Sequence, residues 1–290
     1  MRRHTRAVAK VSYRSVLANK IRFLLTIIAV VLGTAFISGS FMFTDMMQKS
    51  FTGIFENVYS AVDVEVSQKK PTKPITVETK KQLQENQDVK GISMASETTA
   101  VVAKDGMQLS TGGAPSVLFP NDFTEGAPGP SVNVTDGRKP KGEKEAMING
   151  DAAEKHGVHI GDTLKAIDIR DSHEYEIVGI YDTDFAVGGY LGLGVDPETY
   201  IKRYTDGTFP DGFWLSARDG VSPEQLKSSI EQKYPDFKVV TGDSIVEKSS
   251  KEVKEGLSFV TYFLLAFGLV SLLVGAFIIA NTFSMVVAQR

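Results

Sequence analysis

The 290-residue chain contains no cysteine. That absence excludes a disulfide scaffold, a thiolate zinc site and a cysteine nucleophile, while leaving the compartment open. Two nucleotide and hydrolase signatures are missing as well. There is no G-x-x-x-x-G-K-[ST] loop, so the chain binds no nucleotide in the P-loop manner. There is no G-x-S-x-G nucleophile elbow either. Charge and proline are both absent from two long runs, Phe23–Phe43 and Leu257–Ala288, which are rich in Leu, Ile, Val, Ala and Phe. A near-neutral mean hydropathy therefore conceals a membrane protein.

The remaining charge is segregated. Arg2, Arg3, Arg6, Lys10, Arg14, Lys20 and Arg22 precede the first run with no acid among them. All 35 acidic residues fall between 44 and 256, a balance that argues against nucleic acid as a partner. At about 1.5 Å per residue, Phe23–Phe43 spans about 31 Å as a helix, the thickness of a hydrocarbon core. Leu257–Ala288 is longer and is expected to project beyond the bilayer. Basic flanks stay on the cytoplasmic side. The seven N-terminal cations are thus the topology determinants: N-terminus inside, residues 44–256 outside, Arg290 inside again. A cleaved signal sequence is the rival for the first run, with Ser38 and Ser40 as small residues. Signal cores run about 7–15 residues, however, and this run is longer. Val8, Val11, Val16 and Leu17 make the leader either a short amphipathic helix on lipid or a merely topogenic tail.

Small residues recur four apart in both runs: Ala29/Gly33, Ala35/Gly39, Ser271/Gly275 and Ala276/Ala280. This spacing lets helix backbones approach closely and suggests packing against other helices, although such residues are common in any span.

Outside the membrane, Met47, Phe51, Ile54, Phe55 and Val58 form a helical apolar stripe. Ile245–Gly256 has no helix breaker before the second run. Two stalk helices, about 44–60 and 243–256, are the expectation, with ordinary surface helices as the alternative. Between them two β-α-β patterns recur. The first is strand-like Val62–Ser67, a helix from Thr76 to Glu85, and strand-like Ile92–Ala103. The second is strand-like Phe213–Ala217, a helix from Ser222 to Tyr234, and strand-like Phe237–Thr241. Ser222 as N-cap, Pro223 at N1, Gln225 closing a capping box and a Val221/Leu226 staple sign the second helix. The fold expected is therefore an α+β membrane protein. Its two transmembrane helices flank a split ferredoxin-like porter part (about 61–109 and 206–242) with a β-rich insert (about 110–205). Asp105-Gly106 and, within the insert, Asp171-Ser172 read as hairpin turns. Asn149–His156, ended by Gly157, and a segment opened by Asp196-Pro197 read as short helices. Gly188-Gly189 and Gly192-x-Gly194 read as a flexible loop.

No constellation for catalysis is found. His156 and His159 are separated by a helix-breaking glycine, and no third ligand is signposted. Alternation throws Glu174 and Glu176 onto one solvated strand face. Gly242-Asp243-Ser244 reads as a helix cap rather than a nucleophile. Asn133-Val134-Thr135 is a formal glycosylation sequon. No cofactor, metal or enzymatic activity is expected.

Ser12–Phe36, with Arg14, Leu17-x-x-Lys20-x-Arg22 and Leu32-Gly33, resembles the opening of bacterial ABC-transporter permeases of the FtsX-like/MacB superfamily. Asn149–Ile180, with Ala152-Ala153, Gly161-Asp162-Thr163 and Val178-Gly179-Ile180, is similar to that family's MacB-like periplasmic core domain. Ala280–Ser284 and Ala288–Arg290 look like the start of its FtsX-type membrane core. The resemblance implies a porter part with a β-rich insert, a separate cytoplasmic ABC ATPase subunit, and further permease helices or a second permease copy in membrane lipid. It also implies mechanotransmission, in which ATP-driven motion of the helices is relayed to the external domain. The family's core has further helices and a coupling helix beyond its second span. The uncharged run here reaches Arg290 without a stop signal, so the core is expected to be truncated. A two-span extracytoplasmic sensor or scaffold regulating envelope partners, without ATP coupling, is the alternative.

Overall fold

The computed structural model describes residues 20–70, 73–122, 127–183, 188–209 and 211–288. Arg2, Arg3, Arg6, Lys10 and Arg14, and the amphipathic reading of the leader, lie outside the described residues. Contacts divide the chain into two units, Met1–Phe51 with Ser250–Arg290, and Thr52–Ser249.

In the first unit, parts of α1 (Lys20–Tyr59) and α6 (Gly242–Ala288) run antiparallel. Both contain a stretch long and apolar enough to cross a membrane. The buried and half-buried positions Gly33, Ile37, Ser40, Thr44 and Met47 of α1 alternate four and three apart. On α6 the matching set is Thr261, Leu264, Gly268, Ser271 and Gly275. That alternation is the seam of left-handed, near-antiparallel packing. A Cβ on Gly268 would fall 2.6 Å from Cγ1 of Ile37, and one on Gly33 would fall 3.3 Å from Cδ2 of Leu272. Thr44 and Thr261 join their hydroxyls across the seam at 2.9 Å. Each hydroxyl also lies within hydrogen-bonding distance of a carbonyl one turn back in its own helix. No polar atom of the pair is thus left for lipid to satisfy.

The second unit holds two sheets. Strands β1 (Val64–Gln68), β2 (Val89–Met94), β12 (Phe213–Ala217) and β13 (Phe237–Thr241) pair antiparallel in the order β13-β1-β12-β2. Helices α2 (Val77–Gln84) and α5 (Pro223–Lys233) supply the two crossovers, which makes this the split ferredoxin-like arrangement. The α5 capping box forms as its residues demand: Ser222 Oγ accepts from the Gln225 amide at 3.2 Å, and Gln225 Oε1 accepts from the Ser222 amide at 2.9 Å. Val64, Val66, Leu83, Leu215, Leu226 and Ile230 close one face of this sheet at 0% exposure.

The larger sheet comprises β3 (Thr98–Thr99), β4 (Val101–Lys104), β5 (Met107–Gln108), β6 (Ser116–Pro120), β7 (Val132–Gly137), β8 (Glu145–Asn149), β9 (Thr163–Ile167), β10 (Ser172–Thr183) and β11 (Leu191–Val195). Its order is β3-β6-β11-β8-β10-β9-β4-β5, with β7 on β10. The short helices α3 (Gly150–His156) and α4 (Pro197–Tyr204) pack against it. Gly157 ends α3 with φ 60°, the left-handed conformation glycine adopts without strain. Asp105 and Gly106 both take positive φ, the type I′ geometry that joins β4 to β5.

Three expectations need correction. Ile92–Ala103 is not one strand. β2 ends at Met94, and the chain crosses to the larger sheet by Thr98, so the insert begins about twelve residues earlier than read. The polar stretch Ser96–Thr99 marks the crossing, and the apolar residues on either side of it are buried in different cores. Gly192 and Gly194 are not loop residues but the middle of β11, a fully buried central strand. The hydroxyls of Tyr181 and Tyr190 lie 2.3 and 2.6 Å from where a Gly192 Cβ would stand, so only glycine lets the strand pass beneath them. The β9–β10 turn centres on Asp168, whose carboxylate accepts from the amides of Arg170 (2.8 Å) and Asp171 (2.7 Å), rather than on Asp171-Ser172. In addition, α6 is capped by Thr241, whose hydroxyl meets that of Ser244 at 2.8 Å.

Candidate functional site

The two sheets of the second unit enclose a cleft of about 740 Å³, within the range of small-molecule sites. Strand alternation builds one wall. Val64 and Val66 point into the core, so Glu65 and Ser67 point the other way. In register beside them stand Trp214, opposite Glu65, and Lys238, opposite Ser67. The last turns of α1 cover this wall with Ile54, Phe55, Val58 and Tyr59. The apolar stripe read from the sequence as a stalk thus continues into the cleft lining.

Trp214 Nε1 donates to Glu65 Oε2 at 3.1 Å, and the Tyr59 hydroxyl donates to the same oxygen at 3.4 Å. The two rings meet edge to face at 5.8 Å. The opposite wall comes from the larger sheet. Phe119 and Tyr181 pack edge to face at 5.7 Å, and Tyr181 donates to the Gly192 carbonyl at 3.2 Å. Tyr190 stands beside Tyr181, and burial pushes both phenols up. The β2–β3 link supplies Met94 through Glu97, and Asp211 precedes β12.

Three carboxylates therefore meet one ammonium in the lining. Burial raises Glu65, Glu97 and Asp211 above the usual carboxylate range. Asp211 pushes Glu97 further up, while Trp214, Lys238 and Tyr59 draw Glu65 back down. Glu97 and Asp211 keep much solvent-accessible surface, which places them on the rim. Among the described residues neither has a hydrogen-bond or ion-pair partner.

A latch holds the two walls together. Asp122, just after β6, receives Lys80 of α2 at 3.0 Å and the Met94 amide at 3.0 Å. The Tyr200 hydroxyl of α4 meets Thr98 and Ser96 at 3.0 and 3.1 Å.

The residues singled out in sequence are scattered. His156 ends α3, where burial lowers its imidazole, and His159 lies exposed in the following turn. Glu174 and Glu176 point to solvent while Tyr175 and Ile177 are buried. Asn133 is exposed on β7. Among the described residues no three His, Asp or Glu side chains come together as metal ligands. In the helix pair, Gly33, Ser271 and Gly275 lie on the seam, whereas Ala35, Gly39, Ala276 and Ala280 are exposed away from it. Ala29 lies within α1, Lys20 is exposed at its start, and Arg22 follows two residues on in the same helix. Sequence reading missed Glu65, Glu97, Asp211 and Trp214.

The family model of the MacB-like periplasmic core domain matches residues 23–233. The fold is similar to the periplasmic region of MacB from Actinobacillus actinomycetemcomitans, at 9% identity and a TM-score of 0.48, over 67% of this chain and 94% of that one. It is also similar to the extracellular domain of the noncanonic ABC-type transporter YknZ from Gram-positive bacteria, at 11% identity and a TM-score of 0.43, over 62% of this chain and 98% of that one. No curated protein sequence matches it significantly. With a model matched over most of its length, joining an apolar helix to a two-sheet domain, the chain belongs to the MacB-like periplasmic core domain family and is a permease related to ABC-type transporters.

Proposed function

We propose that the chain is the membrane subunit of an ABC-type transporter, coupling ATP hydrolysis by a separate cytoplasmic ATPase to motion of an extracytoplasmic domain. The match of residues 23–233 to the family model carries this reading, because it joins the first apolar helix to the periplasmic core in one unit. In this reading the N-terminus is cytoplasmic, held there by its seven cations, and residues 44–256 are outside. The unbroken course of α1 from Lys20 to Tyr59, with no proline, supports transmission of force along one element. These 290 residues hold no P-loop, so the nucleotide-binding part of the transporter lies outside them.

Purification of the tagged chain from its native membrane tests the coupling. A P-loop ATPase should accompany it, with hydrolysis that responds to cross-linking Thr44→Cys to Thr261→Cys. No ATPase, or hydrolysis indifferent to the cross-link, would leave the sensor or scaffold reading in its place. Because native cysteine is absent, single cysteines at Ser12 and Ser110 test the orientation. An impermeant thiol reagent applied to intact cells should label Ser110→Cys alone.

A further inference from the structure

We infer that the cleft between the two sheets binds an amphipathic organic cation, an apolar or aromatic body bearing one ammonium or guanidinium group. The inference stands on the cleft lining alone, and loss of the ATPase-coupling proposal would leave it intact.

Two independent properties of the lining specify this occupant. The first is shape and apolarity. A volume of about 740 Å³ suits a drug-sized molecule or a few peptide residues. Its walls present the part-exposed rings of Phe55, Tyr59, Tyr190 and Trp214, backed by the buried Phe119 and Tyr181, and aromatic rings attract both apolar groups and cations. The second is charge. Among the described residues Lys238 is the single basic side chain in the lining, and it acts on Glu65, which already holds Trp214 and Tyr59. Glu97 and Asp211 are thus the uncompensated pair: both line the rim of the same cleft, neither has a hydrogen-bond or ion-pair partner among the described residues, and the charge of Asp211 raises the Glu97 carboxyl by repulsion. A cation seated against the aromatic wall would relieve that repulsion. An anion would add to it, and a neutral apolar molecule would leave it in place.

Trp214 is the only tryptophan in the chain, so its emission reports the cleft without any labelling. The whole chain in lipid nanodiscs is titrated with three probes of matched size: 4-phenylbutylammonium, 4-phenylbutanol and 4-phenylbutanoate. Calorimetry serves as a second readout. The ammonium should bind saturably below about 1 mM, at least tenfold more tightly than the alcohol, with the carboxylate weakest. The double variant Glu97→Gln/Asp211→Asn should lose at least tenfold for the ammonium alone and keep its melting temperature, since both residues are on the rim. Equal binding of all three probes, unchanged affinity in the double variant, or no saturable signal by either readout would overturn the inference. Acetyl-Lys-Phe-amide forms a further arm. If it binds more tightly than the amine, the cation belongs to a polypeptide; if it binds less tightly, to a small molecule. Either ranking counts in favour only where the charge preference holds.

Discussion

The two sheets of the external unit solve the same burial problem with different side chains. The four-stranded sheet is sealed by Val, Ile, Leu, Met and Phe, with no buried tyrosine in its cluster. The nine-stranded sheet buries Tyr175, Tyr200 and Tyr204 among its aliphatics, and each hydroxyl finds a partner. Tyr175 meets Tyr204 at 2.5 Å and receives Arg203 Nη1 at 3.2 Å. One core therefore depends chiefly on filled volume, the other on satisfied polar tips as well. The cleft lies between them, made from the small sheet's face opposite α2 and α5, where Glu65 and Trp214 stand.

Volume loss in the small core should cost most. Leu83 is fully buried on the inner face of α2, and Leu83→Ala should cost about 3 kcal/mol, read from the denaturant midpoint. Added volume in the large sheet comes next. Gly192→Val drives methyl groups toward the Tyr181 hydroxyl and should cost about 2–3 kcal/mol; a wild-type melting temperature would show that this strand has room to spare. Polar deletion is smaller. Tyr175→Phe leaves Tyr204 and Arg203 short of a partner at a cost of about 1–2 kcal/mol, whereas a matched hydroxyl-free change in the small core, Phe213→Leu, should alter packing alone. A Tyr175→Phe variant as stable as the parent would erase the distinction between the cores.

The smallest effect is electrostatic. Arg138 grips Glu145 through both guanidinium nitrogens at 2.5 and 2.7 Å, which, with the Lys141 amide, holds its carboxyl at about 2. A depressed acid contributes stability above its unfolded pKa and loses it as pH falls toward the folded value. The gap in melting temperature between the parent and Glu145→Gln should be full at pH 7 and close between about pH 4.5 and 2. A gap that widens on acidification would invert the assignment.

The small sheet was readable because its signals are local. Ser222, Pro223 and Gln225 announce a helix, and two β-α-β patterns announce the crossovers. The large sheet was readable as β but not as topology. β6 pairs parallel with β11 across some seventy residues, a partnership that no neighbouring residue encodes. Gly192-x-Gly194 misled because a glycine in a strand is justified only by what lies over it, here Tyr181 and the neighbouring Tyr190 at Gly192, and Met147 and Phe119 at Gly194. The cleft stayed hidden for a related reason. Glu65 and Lys238 look like ordinary outward strand positions, and only the tertiary fold makes that outside an inside. Part of the wall did carry a signal, the stripe through Ile54, Phe55 and Val58, whose period gave the helix face but not what it faces.

The seam between α1 and α6 fixes a unit of travel. Ile37 occupies the notch above Gly268, and Thr44 is tied to Thr261. To slide past one another the helices would have to lift Ile37 over Leu264 or Leu272, about one turn or 5.4 Å away. A shorter stroke finds no second resting place. The pair is thus geared with coarse teeth, so that below one turn a pull on either helix is carried by both as a single rod.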